Sequence, residues 1–283
     1  MPTEQSISTA RAIREAVVVL SQAGVASPRV DAEILTAHVL GLPRAKLLLA
    51  PDLDPARAAR LRDLVAARAR RVPLQHLTGV APFHHVEVAV GPGVFVPRPE
   101  TELLVEWGLG ALGDPAGTVV DLCSGSGAIA VAVAAARPAA TVYAVERDPA
   151  ALEWLRRNAT GTGVRVVAGD VTDARVLADL DGGVDVVLCN PPYVPAGTPV
   201  PDEVARFDPY PAVFSGDDGL DLIRGLVPRV ARLLRPGGWF GVEHDDSHGE
   251  AVPALLCADG RFTAVEDHRD LAGRPRFGTA RRA

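Results

Sequence analysis

Two short stretches carry residue types that could do chemistry on a planar nitrogen. The first is Asn190-Pro191-Pro192-Tyr193, which closes the apolar run 184–190. A planar amide or aryl amine is a poor nucleophile because its lone pair is delocalised. To attack an activated methyl group, such a nitrogen must be held with both N–H bonds engaged and its lone pair aimed at the carbon. Asn190 offers a side-chain carbonyl as one acceptor. The backbone carbonyl of Pro191 offers a second, and the proline rings fix its direction. Pro192 stiffens the turn, and Tyr193 supplies a flat face for a planar group. Asn-Pro alone is a common turn signal. All four residues at a strand end form a clamp for a planar NH2 group.

The second stretch follows the apolar run 118–123. Asp121 precedes Cys123-Ser124-Gly125-Ser126-Gly127, and an Ala- and Val-rich helix begins at about residue 128. In open α/β sheets ligands bind beyond the carboxyl ends of the strands, where glycines let the backbone approach closely. Gly125-x-Gly127-x-x-Ala130, with Glu146 about 20 residues on, also satisfies a loose dinucleotide fingerprint, so a nicotinamide-dependent oxidoreductase is a competing reading. Asp121 tilts the balance. A carboxylate facing the ligand there repels a pyrophosphate but suits the cationic methionine part of S-adenosyl-L-methionine. Glu146, ending the next strand, can accept the ribose hydroxyls of an adenosine. Asp170 and Val171, after the third strand, lie where an adenine edge would sit, although Asp170 reads equally well as a helix cap.

The elements that must position these residues alternate. Apolar strands at 118–123, 141–146, 164–170, 184–190 and 239–243 are separated by helices at 128–136, 149–159 and 219–235. That order predicts a mostly parallel, doubly wound sheet covered on both faces. Two final strands, 262–268 and 276–282, are expected as an antiparallel edge hairpin. Residues 1–75 read as an all-α bundle with helices over 8–23, 28–40 and 54–72, and no catalytic constellation. Residues 76–97 read as a β-hairpin linker, one strand through Val86, Val88 and Val90, a Gly91-Pro92-Gly93 turn, and a second strand 94–96. The third domain spans 98–283. The Pro- and Asp-rich stretch 195–218 is a long irregular loop of the kind that is usually functional.

Composition narrows the classes. The 283 residues carry a net charge of −6, which opposes a nucleic-acid coat protein and sequence-specific nucleic-acid binding. Lys46 is the one lysine among 29 basic residues, a coding bias. No apolar run reaches the ~18 residues of a membrane span. The N-terminus carries an acid at Glu4 and lacks a leader pattern. Cys123, Cys189 and Cys257 form no CxxC, which suits a reducing cytoplasm. Glu243, His244, Asp245, His248 and Glu250 cluster after a strand, but their spacing favours a loop over a metal site, and no metal is expected. The arginines of 68–71 read as a solvated helix end, and His84-His85 as surface residues.

DLCSGSGAIA and LCNPPYVP resemble the class I amino-nitrogen methyltransferases. PLQHLTG (73–79), VFVPRPETELLVE (94–106), RFDPYPAVFSGDDGLDLIR (206–224) and LLRPGGWFGVEH (233–244) narrow the resemblance to the release-factor glutamine methyltransferase family, across nearly the whole chain. The resemblance implies a Rossmann-like class I fold and S-adenosyl-L-methionine as donor. It also implies a monomer that methylates the Gly-Gly-Gln glutamine of class I peptide chain release factors, with the N-terminal bundle helping to hold that substrate. Carried over, the donor site is Cys123, Ser124, Gly125, Ser126, Gly127, Glu146, Asp170, Val171 and Asn190, and the clamp is Asn190 to Tyr193. Cys123 stands where the family usually has Gly, Glu146 where Asp is frequent, Val171 where an aromatic is often found, and Cys189 where Ser is usual. A DNA or RNA amino-methyltransferase with the same clamp, and a non-catalytic factor-binding module, are the other readings.

Overall fold

The computed structural model describes residues 6–283; Glu4 lies outside them. The chain forms two compact units, one made of the residues up to Val80 with Pro201–Phe207, the other of Ala81–Val200 with Asp208–Ala283.

The first unit is helical: α1 (Thr9–Gln22), α2 (Pro28–Leu40), α3 (Pro55–Ala69), α4 (Leu74–Thr78) and a 3-10 turn over Arg44–Leu49. Several helix boundaries have a local cause. Asp54 caps α3 by accepting from Arg57 N–H (2.8 Å), and Pro occupies the first turn of both α2 and α3. Gly41 ends α2 in the left-handed region. Leu20, Leu35, Ala32 and Leu61 fill the core.

Two arginines depart from the sequence reading of a solvated helix end. Arg68 is 7% exposed and bonds Asp31 (2.7 Å) and Glu203 (2.8 Å), Glu203 coming from the segment 201–207. Arg71 donates to the carbonyls of Ala23 and Gly24, closing the end of α1. Orphan helix carbonyls and a buried carboxylate both need donors, and these side chains supply them.

In the second unit a seven-stranded sheet has the order β5-β4-β3-β6-β7-β9-β8. These strands are β3 (Thr118–Leu122), β4 (Thr141–Glu146), β5 (Arg165–Ala168), β6 (Val184–Cys189), β7 (Leu234–Glu243), β8 (Phe262–Arg269) and β9 (Pro275–Arg282). β5, β4, β3, β6 and β7 pair in parallel with one another, while β9 is antiparallel to both β7 and β8. The terminal hairpin thus closes one edge as expected. Helices α5 (Thr101–Ala111), α6 (Ala128–Ala136) and α7 (Pro149–Ala159) pack with Val119, Val186 and Leu188 on one face. Helices α10 (Asp221–Leu233) and α11 (Ala251–Asp259) pack with Val120, Leu122 and Val187 on the other.

Three expectations change. The hairpin is β1 (Val80–Phe83) with β2 (Val86–Ala89), turning at His84-His85, and 94–96 is not a strand. His84 takes a φ of 52°, and its side chain is 9% exposed, against Glu106. β7 begins at Leu234, so Pro236-Gly237-Gly238 lies inside the strand. The loop 195–218 holds α8 (Asp202–Phe207) and α9 (Tyr210–Val213).

Arg68→Ala leaves Asp31 as an unpaired buried charge. It should lower the stability of the helical unit by about 3–5 kcal/mol, measured by urea denaturation of the full chain. A loss below about 1 kcal/mol would show the pairs to be dispensable.

Candidate functional site

A cavity of about 350 Å3 lies beyond the carboxyl ends of β3, β4, β5 and β6, where ligands bind in sheets of this kind. Its floor is the glycine turn. Ser124 N–H donates to the carbonyl of Val145, and the Ser124 hydroxyl to the carbonyl of Asp121 (2.9 Å). Gly127, at φ 84°, begins α6, and a Cβ there would lie 2.5 Å from Leu155 Cδ1. Glycine at this position is therefore a packing requirement. Gly125 is also left-handed, but a Cβ there would meet open space. Cys123 adopts a φ of 59°, which costs a residue with a Cβ roughly 1–2 kcal/mol.

Cys123, Ser124, Gly125, Ser126, Glu146, Val171 and Asn190 all border the cavity; Gly127 and Asp170 do not. Asp170 turns to Thr172 and to Arg147 (3.1 Å), and those hydrogen bonds hold its carboxyl below the usual range. It holds a turn through Thr172, and no helix starts there for it to cap. Glu146 is 8% exposed and receives three backbone N–H groups: Gly125 on Oε2 (2.8 Å), and Arg147 (2.7 Å) and Asp148 (2.8 Å) on Oε1. An ionised carboxylate has about four acceptor sites. One remains on Oε2, enough for one ribose hydroxyl rather than two.

Asp121 requires a correction. It is 0% exposed and does not border the cavity. Strand alternation explains this: Val119 faces the α5–α6 layer, so Asp121 does too. Its Oδ2 accepts from Ala130 N–H (3.2 Å) in α6, and its Oδ1 has no partner. Burial, opposed by few donors, pushes its pKa up to about 8. It supports the turn from below and does not present a charge to a ligand.

At the other end of the cavity, Asn190 and Pro192 form part of the wall, while Pro191 and Tyr193 stand behind it. Asn190 Nδ2 donates to Thr101 Oγ (3.0 Å), Thr101 donates to Glu243 Oε2 (2.6 Å), and Tyr193 OH donates to Glu243 Oε1 (2.9 Å). The Tyr193 ring, expected as a floor, packs instead on the core under the sheet. A buried phenol needs an acceptor, and Glu243 supplies it. Thr101 is 4% and Glu243 1% exposed. Burial raises the Glu243 carboxyl above its ordinary value, against the pull of the two hydroxyls. Burial, and then the neighbouring Cys123 thiol, push the Cys189 thiol up as well, so it stays protonated.

Sequence reasoning missed both Thr101 and Glu243. Each lies in a stretch that stands out in the sequence, Thr101 in Pro97–Glu102 and Glu243 beside His244, but nothing in the spacing links the two. His244 Nε2 meets Asp267 (3.0 Å) and His248 Nε2 donates to the Asp218 carbonyl (2.9 Å), so the two rings serve different partners. Among the described residues no group of three or more His, Cys, Asp or Glu could hold a metal ion. The segment read as a linker also contributes: Phe83, Val94, Phe95 and Pro97 line the cavity. Arg98 stacks 4.7 Å over Phe95 and bonds Asp208, holding the 94–98 stretch beside Pro209 and Pro211.

Asp121 generates a pH prediction. Its folded pKa of about 8 lies above its unfolded value. Between about pH 4 and 8 the folded state therefore keeps a proton that the unfolded chain releases, and stability falls as pH rises. Asp121→Asn removes this titration. The stability of the variant relative to the parent should rise from pH 5 to pH 8, by up to about 1.4 kcal/mol per pH unit. Urea unfolding at pH 5, 6.5 and 8 measures it, and a pH-independent difference would contradict the assignment.

The comparisons agree with this geometry. A profile described as PrmC N-terminal domain matches residues 11–79, and one described as methyltransferase small domain matches residues 86–206. The chain is 51% identical to the release factor glutamine methyltransferase of Mycolicibacterium smegmatis, covering 96% of each protein. It is 49% identical to that of Streptomyces coelicolor (93% and 94% covered) and 46% identical to that of Mycobacterium tuberculosis H37Rv (96% and 91%). Among solved structures, a T. thermophilus 16S rRNA N2 G1207 methyltransferase in complex with AdoMet and guanosine superposes with a TM-score of 0.51. At 24% identity, over 72% of this chain and 50% of that one, it shares the fold alone. No described helix is long and apolar enough to cross a membrane. With near-complete coverage by several such relatives, the chain belongs to the release factor glutamine methyltransferase family.

Proposed function

We propose that this chain transfers a methyl group from S-adenosyl-L-methionine to the side-chain amide nitrogen of the Gly-Gly-Gln glutamine of class I peptide chain release factors. The observation that carries this reading is that one cavity is bordered both by the glycine turn with Glu146 and by Asn190 of the clamp. The donor fits on three counts. Gly125 leaves open space above the turn, Glu146 keeps an unused acceptor site, and the volume lies within the range of small-molecule sites.

S-adenosyl-L-methionine supplies a methyl group activated on a sulfonium. The chain's part is positioning and exclusion of water. Glu146 binds a ribose hydroxyl while anchoring Gly125. Ser124 to Ser126 and Val171 border the donor. Asn190 Oδ1 accepts one hydrogen of the substrate amide; the Pro191 carbonyl is the second acceptor on the sequence reading alone, since Pro191 is not among the residues that border the cavity. The nitrogen then presents its electron density in one direction. No base is needed before the methyl is transferred: as the N–C bond forms the sulfonium would leave as a neutral thioether, the nitrogen would carry the positive charge, and it would then release its proton to water. Pro192 and Phe95 supply apolar walls. The helical unit, residues 1–75 in the sequence reading, is assigned to docking of the release factor, and the enzyme to the cytoplasm as a monomer.

Two measurements test this reading. Glu146→Ala should weaken donor binding by roughly 1.5–3 kcal/mol, the range for hydrogen bonds to a charged group. Calorimetric titration reads it, and an unchanged affinity in a folded variant removes Glu146 from the site. Asn190→Ala should slow single-turnover methylation of a release factor at saturating donor by about 10²–10³. Turnover within about threefold of the parent would reduce the clamp to a structural turn.

A further inference from the structure

Asn190 is useful to the clamp only one way round. A side-chain amide is nearly symmetric in shape, and flipping it exchanges an acceptor for a donor. With Nδ2 toward the cavity, Asn190 would oppose the substrate amide's hydrogens instead of accepting one. Something must fix its orientation.

We propose that Glu243 fixes the polarity of the Asn190 amide through Thr101, making Thr101 and Glu243 positioning residues of the methyl-transfer site; this rests on the reading of Asn190 as the clamp. The logic follows the protons. In its ionised form Glu243 has none to give, and both hydroxyls that meet it then donate to it: Thr101 at 2.6 Å on Oε2 and Tyr193 at 2.9 Å on Oε1. A threonine hydroxyl has a single proton. Once it is directed to Glu243, Thr101 Oγ offers only lone pairs to its other neighbour. That neighbour is Asn190, 3.0 Å away, which must therefore turn its NH2 inward. The reverse orientation would set a carbonyl oxygen against those lone pairs, at a threonine that is 4% exposed at the edge of the cavity, so a bond between the two residues would be lost. With Nδ2 engaged, Oδ1 is the atom left without a protein partner, on a residue that borders the cavity.

The three partners come from three elements: the first residue of α5, the residue after β6 and the last residue of β7. Tyr193 adds a second tie to the same carboxylate, so the turn that carries Asn190 is held at both ends. Neither Thr101 nor Glu243 is asked to touch the reacting atoms; both act through Asn190.

The test is a double-mutant cycle in single-turnover methylation of a full-length release factor, with S-adenosyl-L-methionine saturating and its affinity measured separately. Thr101→Val removes the relay and keeps the shape, and should slow turnover about tenfold or more while changing donor affinity less than threefold. Thr101→Ser keeps the hydroxyl and should remain within threefold of the parent. In the Asn190→Ala background, Thr101→Val should slow turnover by less than twofold, because there is no amide left to orient. Glu243→Gln leaves one oxygen for two hydroxyls and should lose threefold to tenfold; it carries the test should Thr101→Val not fold. The proposal is overturned if Thr101→Val, or Glu243→Gln in its place, turns over within threefold of the parent while Asn190→Ala is slow. It is equally overturned if the Thr101→Val and Asn190→Ala losses multiply independently, as they would for a purely structural threonine. Fast turnover by Asn190→Ala alone would instead sink the clamp reading itself.

Discussion

A carboxylate with almost no exposure must find its donors inside the protein, and Glu243 finds them far away in sequence. Thr101 lies 142 residues earlier and Tyr193 50 residues earlier. Leaving either oxygen unpaired would cost far more than a surface contact does, because a buried charge is stable only when it is hydrogen-bonded. This requirement ties the start of α5 and the turn after β6 to the end of β7. β7 can deliver the carboxylate there because it is paired on both sides at that point: Val242 is in register with Cys189 of β6, and Glu243 with Phe277 of β9. The edge hairpin, remote from the cavity in sequence, thereby helps to hold the side of the cavity that carries Asn190.

Two other carboxylates stand near the ends of neighbouring strands and are treated in opposite ways. Glu146 has three backbone N–H donors and part of its surface at the cavity. Asp121 has one, an oxygen without a partner, and no exposure. The difference comes from the pleat. Side chains on adjacent positions of β3 point to opposite faces, and position 121 belongs to the face that α6 covers. An acid near a glycine turn is therefore not by that fact a ligand group, and its strand parity decides whether it reaches the site.

The parallel sheet was legible because its central strands β3, β4 and β6 are largely buried and read as continuous apolar runs. The bounds of 128–136, 141–146 and 149–159 agree with α6, β4 and α7. Expectation and structure diverge where a local signal is outweighed by long-range context. The chain does turn at Gly91-Pro92-Gly93, but the hairpin that pairs two strands turns at His84-His85, with His84 in the left-handed region. Pro236 looked like a strand breaker, but β9 pairs with β7 only from Trp239 onward and the β6 pairing skips residues there, so the missing N–H costs no ladder bond. In the site, the groups facing the cavity from the glycine turn and the clamp were readable. The Thr101–Glu243 relay was not, because a hydrogen bond spanning 142 residues leaves no trace in spacing.

On the proposed reading of Asn190 as the clamp, the relay also accounts for an amide at 190. An aspartate would offer acceptors only. It would have to take the Thr101 proton away from Glu243, or face the Thr101 lone pairs with its own. Either way two carboxylates would crowd one hydroxyl in a low-dielectric site, where like charges repel strongly. A serine is too short to reach inward and outward at once. Asparagine alone among the short side chains donates on one side and accepts on the other. The inward donor is demanded by Thr101, whose only proton is held by Glu243. The outward acceptor is demanded by the substrate nitrogen. The chemistry of the clamp and the folding of a buried carboxylate thus converge on the same choice of residue.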